Sequence, residues 1–175
     1  MAINWQLFPR FRIPPPHLVE LVGAFERVAS EVESPQKLLK SNEVLAVVRP
    51  HLEAIGFEVE SGKSTAHSID RPVLFGPNGK PEKYFQVDAF QATTGTVLEV
   101  EAGRAVVNFQ FLKDLFEACA MQDAVYLAIA VMNEYKPPSI KTSYKDFATV
   151  SSFIDTLYAS GRLQLPLDGV VVIGY

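Results

Sequence analysis

Tyr84–Ala118 reads YFQVDAFQATTGTVLEVEAGRAVVNFQFLKDLFEA, and the reading of this stretch decides the fold. It sets Asp88 inside one strand-like run and, after a short polar break, Glu99 and Glu101 inside a second. Strand side chains alternate faces, so Glu99 and Glu101 point one way while Leu98 and Val100 point the other. Two carboxylates side by side on a strand with apolar neighbours repel each other and lose hydration. A divalent cation held between them and Asp88 removes that cost. The expected arrangement is a metal site on a β-hairpin, with Asp88 beside Glu99.

Upstream, Gly76-Pro77-Asn78-Gly79 is rich in turn formers, so Val73–Phe75 is expected to pair with a strand over 84–90. Ser61–Arg71 is polar and reads as a loop. Phe57–Glu60, 84–90 and Thr96–Glu101 together fit an antiparallel meander. Before them, Val44, Leu45, Val48, Leu52 and Ile55 recur at helical spacing, with Ser41 or Asn42 as N-cap, Gly56 as terminator and Pro50 as a kink or break. A first helix spans His17–Glu33 and stops at Ser34-Pro35. Met1–Pro16, with its aromatics and three consecutive prolines, reads as an extended arm packed on the body.

Downstream, Ala102-Gly103-Arg104 is expected to turn the chain into a helix, with Val106, Val107, Phe109, Phe111, Leu112, Leu115, Phe116 and Cys119 as its apolar face. Ala124–Met132 is nearly all apolar, as in a strand covered on both faces. A helix over Tyr144–Ala159 and a buried strand over Leu167–Ile173 complete the chain. The fold class is α/β: a mixed sheet flanked by helices, antiparallel at one end and parallel at the other.

At 175 residues, with 48% hydrophobic and 21% charged residues, the chain has the composition of one globular domain. The formal charge of −4 gives no global attraction to a polyanion, so such a partner needs a local basic face. The single cysteine, Cys119, excludes an intrachain disulfide and reads as a small core residue. His17, His51 and His67 show no ligand spacing. The opening MAINWQLFPRFRIPPP lacks a signal-peptide pattern, and no apolar run is long enough to span a bilayer, so a soluble cytoplasmic protein without membrane contact is expected.

Three carboxylates without histidine or cysteine suit a hard cation, Mg²⁺ or Mn²⁺, rather than zinc. Such an ion activates a bound water and neutralises a phosphoryl oxygen, the chemistry of phosphodiester hydrolysis. Glu101 could orient the water or bind a second ion, and Arg104 could meet a phosphate. The competing reading puts Glu99 and Glu101 on a solvated face, paired with lysines or Arg104. A hydrolase of small phosphoesters also fits carboxylates alone, and differs by needing a closed pocket where a nuclease needs an open basic groove.

This order of elements, with Asp88 followed by Glu99-Val100-Glu101, resembles the PD-(D/E)XK nuclease superfamily and its type II restriction-endonuclease-like fold. The resemblance spans residues 42–132 as an αβββαβ core, with 1–41 an N-terminal arm and helix and 133–175 a C-terminal helix and strand of the same domain. It implies catalytic Asp88, Glu99 and Glu101, a cation on Asp88 and Glu99, and an acid from the first core helix, either Glu43 or Glu53. The implied function is Mg²⁺-dependent DNA cleavage of restriction or DNA-defence type, with DNA as partner and a homodimer by analogy with enzymes that cut both strands. Two positions depart from the pattern. Val87 replaces the usual proline, and Glu101 stands where a lysine is usual, as in restriction enzymes with an ExE motif. Lys113 could supply the missing charge, since that lysine migrates in some branches; Gln110 and Asn108, at the start of the following helix, could reach a phosphate. Lys63, Arg71, Lys80 and Lys83 form the candidate DNA-contacting rim. The alternative is a catalytically inactive nuclease-fold binding or assembly protein, favoured by the acidic charge and the missing lysine.

Overall fold

The computed structural model describes residues 3–62, 68–137 and 142–175. Its strands are β1 (Asn4–Phe8), β2 (Glu58–Val59), β3 (Ile69–Phe75), β4 (Pro81–Val87), β5 (Ala89–Gln91), β6 (Thr96–Glu101), β7 (Tyr126–Val131) and β8 (Gly169–Gly174). Its helices are α1 (Pro16–Arg27), α2 (Ala29–Val32), α3 (Ser41–Ala54), α4 (Gln110–Ala120) and α5 (Asp146–Ser160). A six-stranded sheet runs in the order β1-β8-β7-β6-β5-β2, and β3 and β4 form a separate two-stranded ribbon. The β2-β5-β6 end is antiparallel, β6-β7-β8 is parallel, and β1 closes the far edge antiparallel to β8. Read from α3 through β2, β5, β6 and α4 to β7, this is the αβββαβ order of the restriction-endonuclease-like core within a mixed sheet.

Alternation explains the layers. Leu98 and Val100 of β6 join Ala128, Ala130, Val171 and Ile173 in a core beneath α1 and α3. Val97, Leu127, Ile129, Val131, Val170 and Val172 point the other way, into a core with Phe111 and Leu115 of α4 and Val150 and Ile154 of α5. The crossovers β6-α4-β7 and β7-α5-β8 step in the same direction along the sheet, so a common hand puts both helices on one face. Both faces are covered, which accounts for the nearly unbroken apolar run in β7.

Several expectations need correction. The N-terminal arm is not merely packed on the body, because Asn4–Phe8 pairs residue by residue with β8 as an edge strand. Pro50 does not break α3, which runs continuously from Ser41 to Ala54, and the N-cap is Lys40 rather than Ser41 or Asn42. The first helix divides at Val28. Part of the presumed loop before Arg71 is already strand, since Ile69 and Asp70 pair with Val87 and Gln86. The run 84–90 is not one strand: it divides at Asp88, giving its first half to the ribbon and its second to the main sheet.

The helix after the site also starts later than expected, at Gln110, after turns through 105–108 and a left-handed Phe109 (φ 52°). Its buried stripe is Phe111, Asp114, Leu115 and Ala118, while Phe116, Phe109 and Val107 face solvent.

Candidate active site

Asp88 occupies the one-residue gap between β4 and β5. In unbroken alternation Val87 and Ala89 would share a face; instead Val87 joins the α4-side core and Ala89 the α3-side core. The chain therefore turns at Asp88. Ala89 pairs with Leu98 and Phe90 with Val97 in antiparallel register, so one step further sets Asp88 opposite Glu99. Its carboxylate is held from across the sheet: the Val100 amide donates to Asp88 Oδ2 at 2.7 Å. Its own carbonyl accepts from the Glu60 amide at 2.8 Å, which fixes the backbone of the gap.

Glu99 and Glu101 lie on the face of β6 opposite Leu98 and Val100, beneath α4. There they meet an acid that the sequence reading passed over. Asp114 sits in the buried stripe of α4, 3% exposed, and its Oδ2 has no hydrogen-bond partner among the described residues. The overlooked signal was its spacing: Asp114 falls three residues after Phe111 and four before Ala118, on the stripe that faces the sheet. The expected apolar face included Phe116 and Cys119; the face that meets the sheet instead takes Asp114 and Ala118 beside Phe111 and Leu115, and Phe116 faces solvent.

The four carboxylates perturb one another. Burial, opposed by the Val100 hydrogen bond and reinforced by Glu60, pushes Asp88 up to about 6. Glu101 rises to about 7 through burial and the charge of Asp88. Asp114 rises to about 8 through burial and the charge of Glu101. Glu99 rises well above the usual carboxylate range through burial, then Asp88 and Asp114. Lys113 acts against all four shifts. Its Nζ lies 3.1 Å from Glu117 Oε2 and 4.0 Å from Asp114 Oδ1. Burial alone would lower the lysine, but Glu117, Asp114 and Glu99 raise it on balance, so it stays charged.

Beside Glu101, a cleft of about 570 Å³ opens between the start of α3 and the turn before α4. Its walls include Glu43, Arg104, Gln110 and Tyr135. Three of the supporting candidates, Glu43, Arg104 and Gln110, thus gather at one opening with Glu101. The Glu43 carboxylate is partly engaged, accepting from the Lys40 amide at 2.7 Å. Glu53 is not there. Ten residues along α3 from Glu43, about 15 Å by helical rise, it stands exposed at the other end of the helix.

The presumed basic rim is divided. Lys80 and Lys83 are exposed on the ribbon that feeds directly into Asp88. Arg71 is already committed, ion-paired with Asp123 and stacked 4.0 Å from the Phe90 ring centroid. Lys63 lies outside the described residues.

Carboxylate oxygens are the donors a hard divalent cation prefers, and the orphaned Oδ2 of Asp114 is an acceptor in want of a partner. Among the described residues, however, no three acidic, histidine or cysteine side chains stand together as a ready-made metal site.

No family model matches the chain, and no curated protein matches it. Among solved structures it is similar to free BglII, with 11% sequence identity and a TM-score of 0.49 over 99% of this chain and 79% of that one. It is similar to the same degree to restriction endonuclease BglII complexed with a DNA 16-mer, with 11% identity and a TM-score of 0.49 over 99% of this chain and 78% of that one. The mixed α/β fold follows from the strand order and register described above. Among the described residues, no helix is long and apolar enough to cross a membrane.

Proposed function

We propose that this chain is a divalent-cation-dependent endodeoxyribonuclease that hydrolyses DNA phosphodiester bonds, of restriction or DNA-defence type. The observation that carries the reading is the group of mutually perturbed carboxylates, Asp88, Glu99, Glu101 and Asp114, set against one lysine beside an open cleft. Structural cores avoid such a concentration of like charge, whereas catalytic sites use it.

In this reading Asp88 and Glu99 hold Mg²⁺ or Mn²⁺, which when bound activates water and neutralises a phosphoryl oxygen. Glu101, with its proton leaving near neutrality, orients the attacking water and accepts its proton. Lys113 supplies the positive charge that position 101 lacks, and Arg104 and Gln110, at the cleft, meet the phosphate backbone. Lys80 and Lys83 give the acidic chain a local basic edge toward DNA, and a homodimer would place two such sites on the two strands.

Supercoiled plasmid, titrated with Mg²⁺ or Mn²⁺ against wild type, Asp88→Ala and Glu99→Ala, tests the reading. Divalent-dependent cutting that disappears in both variants supports it. A wild-type chain that binds neither ion and cuts under neither overturns it.

A second reading is a nuclease-fold protein that binds or assembles without cutting. It is favoured by the lack of a ready-made three-carboxylate metal site among the described residues and by Glu101 at the usual lysine position. It predicts DNA or protein binding that Asp88→Ala leaves unchanged.

A further inference from the structure

We infer that Asp114 is a fourth carboxylate ligand of this site, holding a divalent cation together with Glu101 on the α4 side of β6. The inference rests on the proposed cation-binding reading of Asp88 and Glu99, and extends it to a residue on the helix that follows them.

Asp114 lies where a helix packed on a sheet normally carries an apolar residue. Phe111, Leu115 and Ala118 fill the rest of that stripe and are 1%, 6% and 1% exposed. Burying a carboxylate there is unfavourable unless its oxygens are satisfied. They are not. Among the described residues Oδ2 has no partner, and Lys113 is 4.0 Å from Oδ1, beyond hydrogen-bond reach, with its Nζ turned to Glu117 at 3.1 Å. The neighbours whose charge bears on Asp114 include Glu101 and Asp88, which when ionised offer acceptors only. Ionised carboxylates that feel one another's charge are relieved by something shared between them, a proton or a metal ion. An all-oxygen set favours Mg²⁺ or Mn²⁺ over softer metals.

Mn²⁺ binding to the full chain at about pH 8, followed by calorimetry and by the electron paramagnetic resonance of free Mn²⁺, tests this without reference to cleavage. Asp114→Asn keeps the shape and removes the charge; Asp114→Ser removes both and guards against a misfolded first variant. Glu20→Gln, on the exposed face of α1, is the control. Both Asp114 variants are expected to weaken Mn²⁺ binding by about tenfold or more, with the control unchanged. They are also expected to melt at or above the wild-type temperature without metal, because a buried charge has gone. Wild-type affinity in the Asp114 variants would overturn the inference and leave the Asp88–Glu99 site standing. A wild-type chain that binds no Mn²⁺ would overturn both.

Discussion

The Val100 amide donates to Asp88 Oδ2 at 2.7 Å, so the strand that carries Glu99 and Glu101 also orients the acid that precedes it. This bond has two separable parts, an acceptor and a charge. Asp88→Asn keeps the acceptor through its amide oxygen and removes the charge. Asp88→Ala removes both and leaves a buried amide unpaired, at a cost of about 1–2 kcal/mol. Asp88→Asn is therefore expected to melt near or above wild type, with Asp88→Ala a few degrees below it, while both lose Mn²⁺ binding. Equal melting of the two variants would show that the bond contributes nothing to the fold.

The carboxylate cluster ties stability to pH in a definite direction. Asp88, Glu101 and Asp114 rise from ordinary values of 3.8, 4.5 and 3.8 to about 6, 7 and 8. The folded chain thus keeps protons that the unfolded chain has released. Their favourable effect is complete below about pH 4 and is lost as the pH climbs through the folded values, from about 6 to about 8. A divalent cation needs the ionised forms, so it should restore most where the metal-free protein is weakest. Thermal melting in a chelator is expected to fall between about pH 5 and 8.5, and the gain from Mn²⁺ to grow over the same range. A metal-free melting temperature that rises across this window would contradict the cluster's assigned shifts.

Much of this site was legible in the sequence because strand alternation is simple. Two acids at positions i and i+2 must share a face, and an apolar 124–132 run must be covered twice. The hidden parts depended on events that alternation does not encode. Asp88 divides two strands because the β3–β4 ribbon leaves the sheet there, and only long-range pairing decides that. Asp114 escaped because the apolar residues around it spread over a broad arc, and only tertiary packing decides that Phe116 faces solvent while Asp114 and Ala118 face the sheet. Arg71 read as a free surface charge because its partner, Asp123, lies fifty-two residues away in sequence. The edge position of Asn4–Phe8 was masked by nearby prolines and arginines, which fit an arm as well as an edge strand.

Among the described residues, Lys113 is the one cation that acts on all four site carboxylates. Lys113→Met keeps the aliphatic stem and removes the charge, so Asp88 and Glu101 should hold their protons to still higher pH. Under the nuclease reading, cleavage is expected to fall by about a hundredfold or more, with its acidic limb displaced upward in pH. Lys113→Arg should recover part of the rate and the original limb. Cleavage by Lys113→Met that matches wild type at every pH would reduce Lys113 to a helix-surface partner of Glu117.

Asp146 offers a test of burial independent of the site. It opens α5, is fully inaccessible, and neither of its carboxylate oxygens has a hydrogen-bond partner. The helix N-terminus favours a negative charge, but burial wins and pushes the group from 3.8 up to about 6. The protonated form is therefore the one that the fold accepts. Its favourable effect is present in full below about pH 4 and disappears as the pH passes about 6. Asp146→Asn has no charge to bury, so it should melt like wild type near pH 4 and a few degrees higher near pH 8. A difference between the two proteins that does not change with pH would mean that the Asp146 carboxyl titrates alike in the folded and unfolded chain.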